Sequence, residues 1–315
     1  MSRPSVVIGI PAFNRGDLVG HAIESVLTQT WPDLQLVISD DASTDATEEV
    51  CSRWAEVDQR VKYIRQPVNL GLTGNFNFLF AECSRADFVM MLSDDDWLDP
   101  DYVERCRAEL VKRPDYVVVA GTSLFIREGE AVAEESPMQL RDEKPERRVS
   151  AYYRSVFECG AYYGLMRGSA LSAAMPMPDV LANDWILVGR VVCVGKVMTL
   201  TDTHVNRRLG GTSESVSSVL NVVGGRLGEA RLPHLYTSFR VWRDIVRGSP
   251  VFGVLNARTR LTLSARAALG VIDWPSLAWH LTEPSARALN GWRSTRWAWV
   301  LYARLTRALG AGRKP

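Results

Sequence analysis

Four times in the first hundred residues, a short run of β-branched and aliphatic side chains stops on a polar cluster. SVVIGI (5–10) ends on Pro11-Ala12-Phe13-Asn14-Arg15, and LQLVIS (34–39) ends on Asp40-Asp41-Ala42-Ser43. VKYIR (61–65) leads to Asn69-Leu70-Gly71, and ADFVMML (86–92) to Ser93-Asp94-Asp95-Asp96. Helical spacing separates the runs, clearest in the stripe Leu18, Val19, Ala22, Ile23, Val26 and Leu27. This alternation predicts parallel βα units. An open parallel sheet binds its ligands beyond the carboxyl ends of the strands. One polar cluster is an ordinary turn or helix cap, because Asp, Asn and Ser favour both. Four in succession on one edge make a site.

Local signals extend the reading. Asp45 with Glu48 resembles a capping box and predicts a helix start, and the next helix is expected around Gly74 or Asn75. Asp99-Pro100 predicts another, with Asp99 as N-cap and Pro100 at the first helical position. YVVVAG (116–121) reads as a fifth strand, and residues 127–149 as a mobile loop or excursion. YYGLMR (162–167) and KVMTLT (196–201) are strand-like, NDWILVGRVV (183–192) is helix-like, and everything past about 213 looks helical. The fold class expected is α/β: a Rossmann-like mixed sheet flanked by helices, with a helical C-terminal extension.

Composition narrows the setting. The five cysteines are scattered, odd in number and without a C-x-x-C pair, which argues against a disulfide framework or zinc site and for a reducing cytosol. The opening MSRPSVVIGIPAFNR has too short an apolar stretch for a signal peptide, and no run approaches the ~18 apolar residues of a membrane span. A cytoplasmic protein is expected. The net charge of +1 hides an asymmetry: from Arg231 onward there are 14 basic residues against three acidic ones. Two regions of opposite charge suggest two jobs.

The Asp94-Asp95-Asp96 run is the most informative. Adjacent carboxylates raise one another's pKa unless something compensates. A divalent cation does so, and oxygen ligands select Mg²⁺ or Mn²⁺. With few protein ligands, phosphate oxygens can complete the shell, and the metal then neutralises charge on a departing diphosphate. An acidic helix N-terminus accounts for Asp99 but not for three further acids after a buried strand.

PAFNR, AIESVLTQTWPDLQLVISDDASTDAT, NLGLTGNFN and MLSDDDWLDPDYVE, in this order and spacing, resemble the N-terminal half of family 2 glycosyltransferases over about residues 4–125. The resemblance implies a GT-A fold, an inverting reaction and a nucleotide-sugar donor, with uridine the commonest base. It implies a catalytic domain over 1–212, with a nucleotide-sugar-binding half (1–125) and an acceptor half (150–212), before a basic, Trp-rich region (213–315). Pro11, Ala12, Asn14 and Arg15 would lie along the nucleotide, Asp40 or Asp41 would read the base, and Asn69 and Gly71 would line the donor pocket. Asp94 would contact ribose or metal, Asp95 would be the main metal ligand, and Asp96 would assist the metal or orient the loop. Ser93 stands where many relatives carry the first acid of a D-x-D triplet, so the ligand assignment within 94–96 is open by one residue.

The second half resembles the family more loosely. Asp184 matches the general base, which takes the acceptor proton as the hydroxyl attacks the anomeric carbon; capping by Asn183-Asp184 is the alternative. Tyr163 and Gly164 would sit near the acceptor. Arg207 or Arg208 would hold the diphosphate, and Gly210-Gly211 would allow a closing loop. Leu209 occupies the place where relatives carry a histidine; His204 lies nearby, although a lone histidine beside a strand is more often structural.

Residues 285–313 interleave Trp292, Trp297, Trp299 and Tyr302 with Arg287, Arg293, Arg296, Arg304 and Arg307, which suits an anionic membrane surface, internal packing or a homodimer contact better than nucleic acid. Membrane contact would suit an enzyme acting on a lipid-linked glycan. Glycan and small-molecule acceptors stay open. A sugar-phosphate nucleotidyltransferase is a weaker alternative, since PAFNR lacks its Gly-rich basic loop. An inactive glycan- or partner-binding module is another, opposed by the intact acids.

Overall fold

The computed structural model describes residues 6–156, 159–210 and 233–272. β1 (Val6–Ala12) is buried at all seven positions, so both its faces are covered, as its unbroken apolar run requires. It pairs in parallel with β2 (Leu34–Asp40) on one side and β4 (Phe88–Met91) on the other, and β3 (Val61–Arg65) adds in parallel to β2. Helices α1 (Val19–Leu27), α2 (Thr47–Val57) and α3 (Gly71–Cys83) form the crossovers.

Beyond β4 the sheet becomes mixed. β9 (Leu165–Arg167) runs antiparallel to β4 and to β6 (Tyr116–Arg127), and β10 (Lys196–Arg208) lies parallel to β6. The order is β3-β2-β1-β4-β9-β6-β10-β5, with β5 at Trp97–Leu98. Two reversals restore direction, so β6 and β10 end on the same edge as β1 to β4. β9 begins on that edge, which brings the 3-10 turn Gly160–Tyr163 there too. The mixed, helix-flanked sheet agrees with the expected fold class.

Several local expectations give way to tertiary contacts. β5 pairs antiparallel with β10, Leu98 opposite Val205 and Trp97 opposite Asn206. Asp99 therefore faces β10, where its carboxylate accepts from His204 N (2.9 Å), His204 Nδ1 (2.7 Å) and Asn206 Nδ2 (2.9 Å). It caps no helix: α4 (Tyr102–Lys112) starts beyond Pro100. Asp45 likewise forms no capping box; its carboxylate accepts from Thr47 N and from Gly16 N across the β1 loop. Residues 127–149 are ordered structure rather than a loop. β6 runs on to Arg127 and turns into β7 (Glu130–Glu134), β8 (Gln139–Leu140) pairs with β10, and α5 (Pro145–Ser155) follows. Arg148 explains why so polar a stretch holds: its guanidinium is buried and donates to the carbonyls of Asp142, Glu143, Val192 and Cys193.

α6 (Gly168–Ala174) and α7 (Asn183–Val194) complete the acceptor half. The described part of the basic region is helical: α8 (Pro233–Arg243), a π turn (Asp244–Gly248), a 3-10 turn (Pro250–Val254) and α9 (Ala257–Val271), with α9 packed on α5 and α8. The Arg/Trp segment 285–313 and Gly211 lie outside the described residues. All five cysteines are buried and unpaired. Among the described residues no helix is long and apolar enough to cross a membrane.

Candidate active site

The β1 loop is held in shape by the β2 loop. Asn14 adopts a left-handed conformation (φ 52°), its N–H donates to Ser43 Oγ (2.9 Å), and its side-chain oxygen accepts from Thr44 N (2.8 Å). Asn tolerates that region better than most residues. Ala42 (φ 59°) does not, and is held by its own N–H to Asp40 O and by Ser43 N to Asp40 Oδ1 (both 2.9 Å). Strained backbone of this kind persists where the surroundings over-determine it, and it concentrates at functional sites.

Asp40 and Asp41 are both turned inward. Asp40 is fully buried and accepts from Tyr63 OH (2.7 Å) and Arg65 Nη1 (3.2 Å), which fastens β2 to β3. Asp41 accepts from Leu70 N (2.6 Å); burial raises its pKa, opposed by the Leu70 and Gly71 amides. That bond, with Asn69 Oδ1 accepting from Gly71 N (2.8 Å), shapes the loop into α3, and Gly71 sits at φ 73° with open space around it. Tyr63 and Arg65 escape sequence reasoning because they read simply as strand residues, although both face the Asp40 side of β3.

The acidic loop after β4 is gripped from three directions. Asp94 accepts from Phe13 N (3.3 Å) and lies 3.7 Å from Arg15 Nε. Asp96 accepts from Arg208 N (2.8 Å) at the end of β10. Ser93 Oγ bonds Tyr163 OH (3.1 Å), so the serine found in place of a first acid meets a buried tyrosine. Tyr163 O in turn accepts from Tyr102 OH (2.9 Å), and the Arg207 guanidinium lies 4.7 Å from the Tyr163 ring centre. Gly164 packs on β6, where a Cβ would meet Val118 Cγ1 at 2.5 Å. Pro11 and Ala12 are buried at the end of β1, the latter accepting from Asp41 N.

Electrostatics follow from this crowding. Burial, reinforced by the Asp95 charge, pushes Asp94 up to about 7 against the pull of Arg15. Burial likewise pushes Asp96 up to about 6, opposed chiefly by Arg207. Asp95 is also raised by burial, and Arg15, Arg207 and Arg208 draw it back. Asp94 and Asp96 are committed to backbone amides, whereas Asp95 makes no side-chain hydrogen bond or ion pair to another of the described residues; it is half-buried and feels the positive charges of Arg15, Arg207 and Arg208.

Among the described residues no cluster of three His, Cys, Asp or Glu side chains forms a ready cation cage. The donor set nevertheless fits Mg²⁺ or Mn²⁺, which commonly take one or two carboxylates and fill the shell with water and phosphate oxygens. Asp95 would supply that carboxylate. His204 is held by Asp99.

Asp184 stands in the first turn of α7, half-buried, its Oδ1 accepting from Trp185 N (2.9 Å). Left-handed Ala182 (φ 59°) starts the helix, and Asn183 Nδ2 donates to Thr73 Oγ1 (3.2 Å), fixing that start against α3. The Asp184 charge raises the pKa values of Tyr162, Cys159 and Tyr152, secondary to burial in each. α7 packs against the 3-10 turn Gly160–Tyr163, which brings the helix that carries Asp184 to the turn that carries Tyr163.

Comparison with known proteins bears on this arrangement. The glycosyl transferase family 2 model matches residues 7–171, a little over half the chain. The chain belongs to that family. It is 25% identical over 173 residues to EpsH of Bacillus subtilis, covering 55% of this chain and 50% of that one. It is 36% identical over 131 residues to the chondroitin synthase of Escherichia coli, covering 41% and 19%. It is 33% identical over 129 residues to the GalNAc(5)-diNAcBac-PP-undecaprenol beta-1,3-glucosyltransferase of Campylobacter jejuni, covering 40% of each. The chain therefore spans half or less of the length of these relatives. In fold it is similar to S. aureus TarS 1–349 in complex with UDP-GlcNAc (TM-score 0.64, 12% identity, covering 89% of this chain and 76% of that one). It is similar also to the Pyrobaculum calidifontis mannosyltransferase PcManGT in complex with GDP-Man and Mn²⁺ (TM-score 0.53, 15% identity, covering 97% and 87%).

Proposed function

We propose that this family 2 member is an inverting, metal-dependent glycosyltransferase that moves a sugar from a nucleoside diphosphate, UDP first among candidates, to an acceptor hydroxyl. Asp95 carries the proposal: a carboxylate with no hydrogen-bond or ion-pair partner among the described residues, in the field of Arg15, Arg207 and Arg208. A lone structural acid would be paired, and an anion site without metal would not keep three acids at its centre.

Pro11, Ala12, Asn14 and Arg15 form the wall along which the nucleotide lies, with Asn69 and Gly71 on the β3 side. The base is read between these loops, by Asp41 or by the shape that Asp40 imposes. Mg²⁺ or Mn²⁺ bound at Asp95, with Asp96 or Asp94 assisting, would act as a Lewis acid on the diphosphate. Arg207 and Arg208 hold the leaving diphosphate. Asp184 accepts the proton of the acceptor hydroxyl as that oxygen bonds to the anomeric carbon and the bond to the phosphate oxygen breaks; a single displacement inverts the centre. Tyr163 packs under the acceptor.

The relatives' named products and acceptors, a polysaccharide in one and an undecaprenol-linked glycan in another, favour a glycan or lipid-linked acceptor over a small molecule. Such an enzyme works in the cytoplasm, peripherally at the inner face of the membrane.

The test is calorimetric titration with UDP, GDP and dTDP, each with Mn²⁺ and with EDTA. Metal-dependent binding of one nucleotide is expected, weakened roughly 100-fold or more in Asp95→Ala. Asp184→Asn should keep that binding and lose transfer. Absence of binding to all three by the folded protein would overturn the reading.

A further inference from the structure

α8 is inside out. Its inward positions are Pro233, His234, Thr237, Ser238 and Val241, and Ser238 Oγ donates to Ala268 O of α9 (2.8 Å). Its outward positions are Leu235, Tyr236, Phe239 and Trp242, with Phe239 57% exposed and its ring stacked 6.0 Å from that of Trp242. A helix that faces water on its outer side normally does the reverse. The spacing 235, 239, 242 makes a continuous apolar stripe. Among monomeric soluble surfaces such a stripe marks an interaction site.

The charge around the stripe selects the partner. Residues 233–272 contain six arginines and one acid, Asp244. That acid is turned inward and paired with Arg190, both side chains 7% exposed. Arg243 and Arg247 are exposed beside the aromatic stripe, and Arg258 and Arg266 are exposed on α9 with Leu261 and Leu269. The outer surface of this segment is thus aromatic, aliphatic and cationic, with no exposed carboxylate. A second copy of the same face would set arginine against arginine. An anionic bilayer supplies both complements: phosphate headgroups for Arg and an interfacial layer in which Tyr and Trp rings are at home.

We infer that the outer face of α8, through Leu235, Tyr236, Phe239 and Trp242 flanked by Arg243 and Arg247, is a docking surface for an anionic lipid bilayer. The surface deepens the peripheral-membrane part of the functional reading by naming the residues. It involves none of the residues assigned to the chemistry at Asp95. Nucleotide titration tests that chemistry independently, so failure of one does not imply failure of the other.

The full-length protein is floated with vesicles of roughly one-third phosphatidylglycerol in phosphatidylcholine, and with phosphatidylcholine alone. Binding is expected to the anionic vesicles and to fall with salt. Phe239→Ser/Trp242→Ser should weaken partitioning roughly tenfold or more. Arg243→Gln/Arg247→Gln should do likewise, at about fivefold per arginine, because each basic residue near an anionic surface contributes about that much. All four positions are exposed, so circular dichroism should show the fold unchanged. As a check without a disruptive change, quenching of tryptophan fluorescence by brominated lipid should drop in Trp242→Phe. Failure of the wild type to bind anionic vesicles overturns the inference, as does binding that both double variants leave intact. A dimer in sedimentation that Phe239→Ser/Trp242→Ser abolishes, or oligonucleotide binding with the same residue dependence and no vesicle binding, assigns the face elsewhere and equally overturns it.

Discussion

The buried pair Arg190–Asp244 links α7, which carries Asp184 in its first turn, to the basic C-terminal region, and its removal should be felt throughout the acceptor half. Arg190 donates Nε to Asp244 Oδ2 (3.0 Å) and Nη2 to Asp244 Oδ1 (2.6 Å), while Nη1 reaches the carbonyls of Ala174 (2.9 Å) and Pro176 (2.5 Å). Asp244→Asn keeps the shape and one acceptor but leaves the guanidinium buried without a counter-charge. Breaking such a pair costs about 3–5 kcal/mol when the partner is lost outright. Retention of one neutral hydrogen bond returns about 1 kcal/mol, so a loss of about 2–4 kcal/mol is expected. At about 2 °C per kcal/mol for a protein of this size, the melting temperature should fall by ~4–8 °C. The double variant Arg190→Met/Asp244→Leu removes both charges and should recover to within about 2 kcal/mol of wild type, because a well-packed apolar pair escapes the desolvation penalty. Thermal and urea melts of the three proteins make the comparison. A loss below about 1 kcal/mol in Asp244→Asn, or a double variant as unstable as the single, would refute the claim that an uncompensated buried charge is what the pair prevents.

Three further outcomes follow from the same geometry. Asp94 and Asp96, raised to about 7 and about 6, bind protons more tightly in the folded than in the unfolded chain, so metal-free stability should fall as pH rises from about 4 to 7. Melts across that range should show the fall, and Mn²⁺ should diminish it by favouring the ionised acids. Gly168→Ala would drive a Cβ to 2.1 Å from Ala86 O and 2.8 Å from Ser84 O, both backbone, and should cost more than about 2 kcal/mol in a urea melt. Two buried tyrosines should diverge: Tyr163→Phe loses the Ser93 contact and should cost about 1 kcal/mol, whereas Tyr153→Phe removes a buried hydroxyl with no hydrogen-bond partner among the described residues and should be neutral or stabilising in the same assay.

The sequence by itself determined the parallel half of the sheet and the loops that end it. Those segments were legible because their signal is local: seven consecutive buried positions in β1 require an apolar run, and a parallel sheet forces the following polar residues onto one edge. The acids at 94–96, the Asn14 loop and the Gly71 turn were visible for the same reason, and Asp184 was visible through family resemblance at the head of a helical pattern. Tertiary structure decided what each polar group is free to do. Asp99 carries the sequence signature of a helix cap, yet the pairing of β5 with β10 gives it to His204 and Asn206. Asp40 and Asp95 are the same residue type at the ends of the two strands that flank β1; one is consumed by Tyr63 and Arg65, and the other sits in the field of three arginines. Sequence spacing cannot reveal such differences, because the partners lie on strands and helices far apart in the chain. The outward apolar face of α8 has the same origin: packing of its Ser238 side against α9 decides which face meets water.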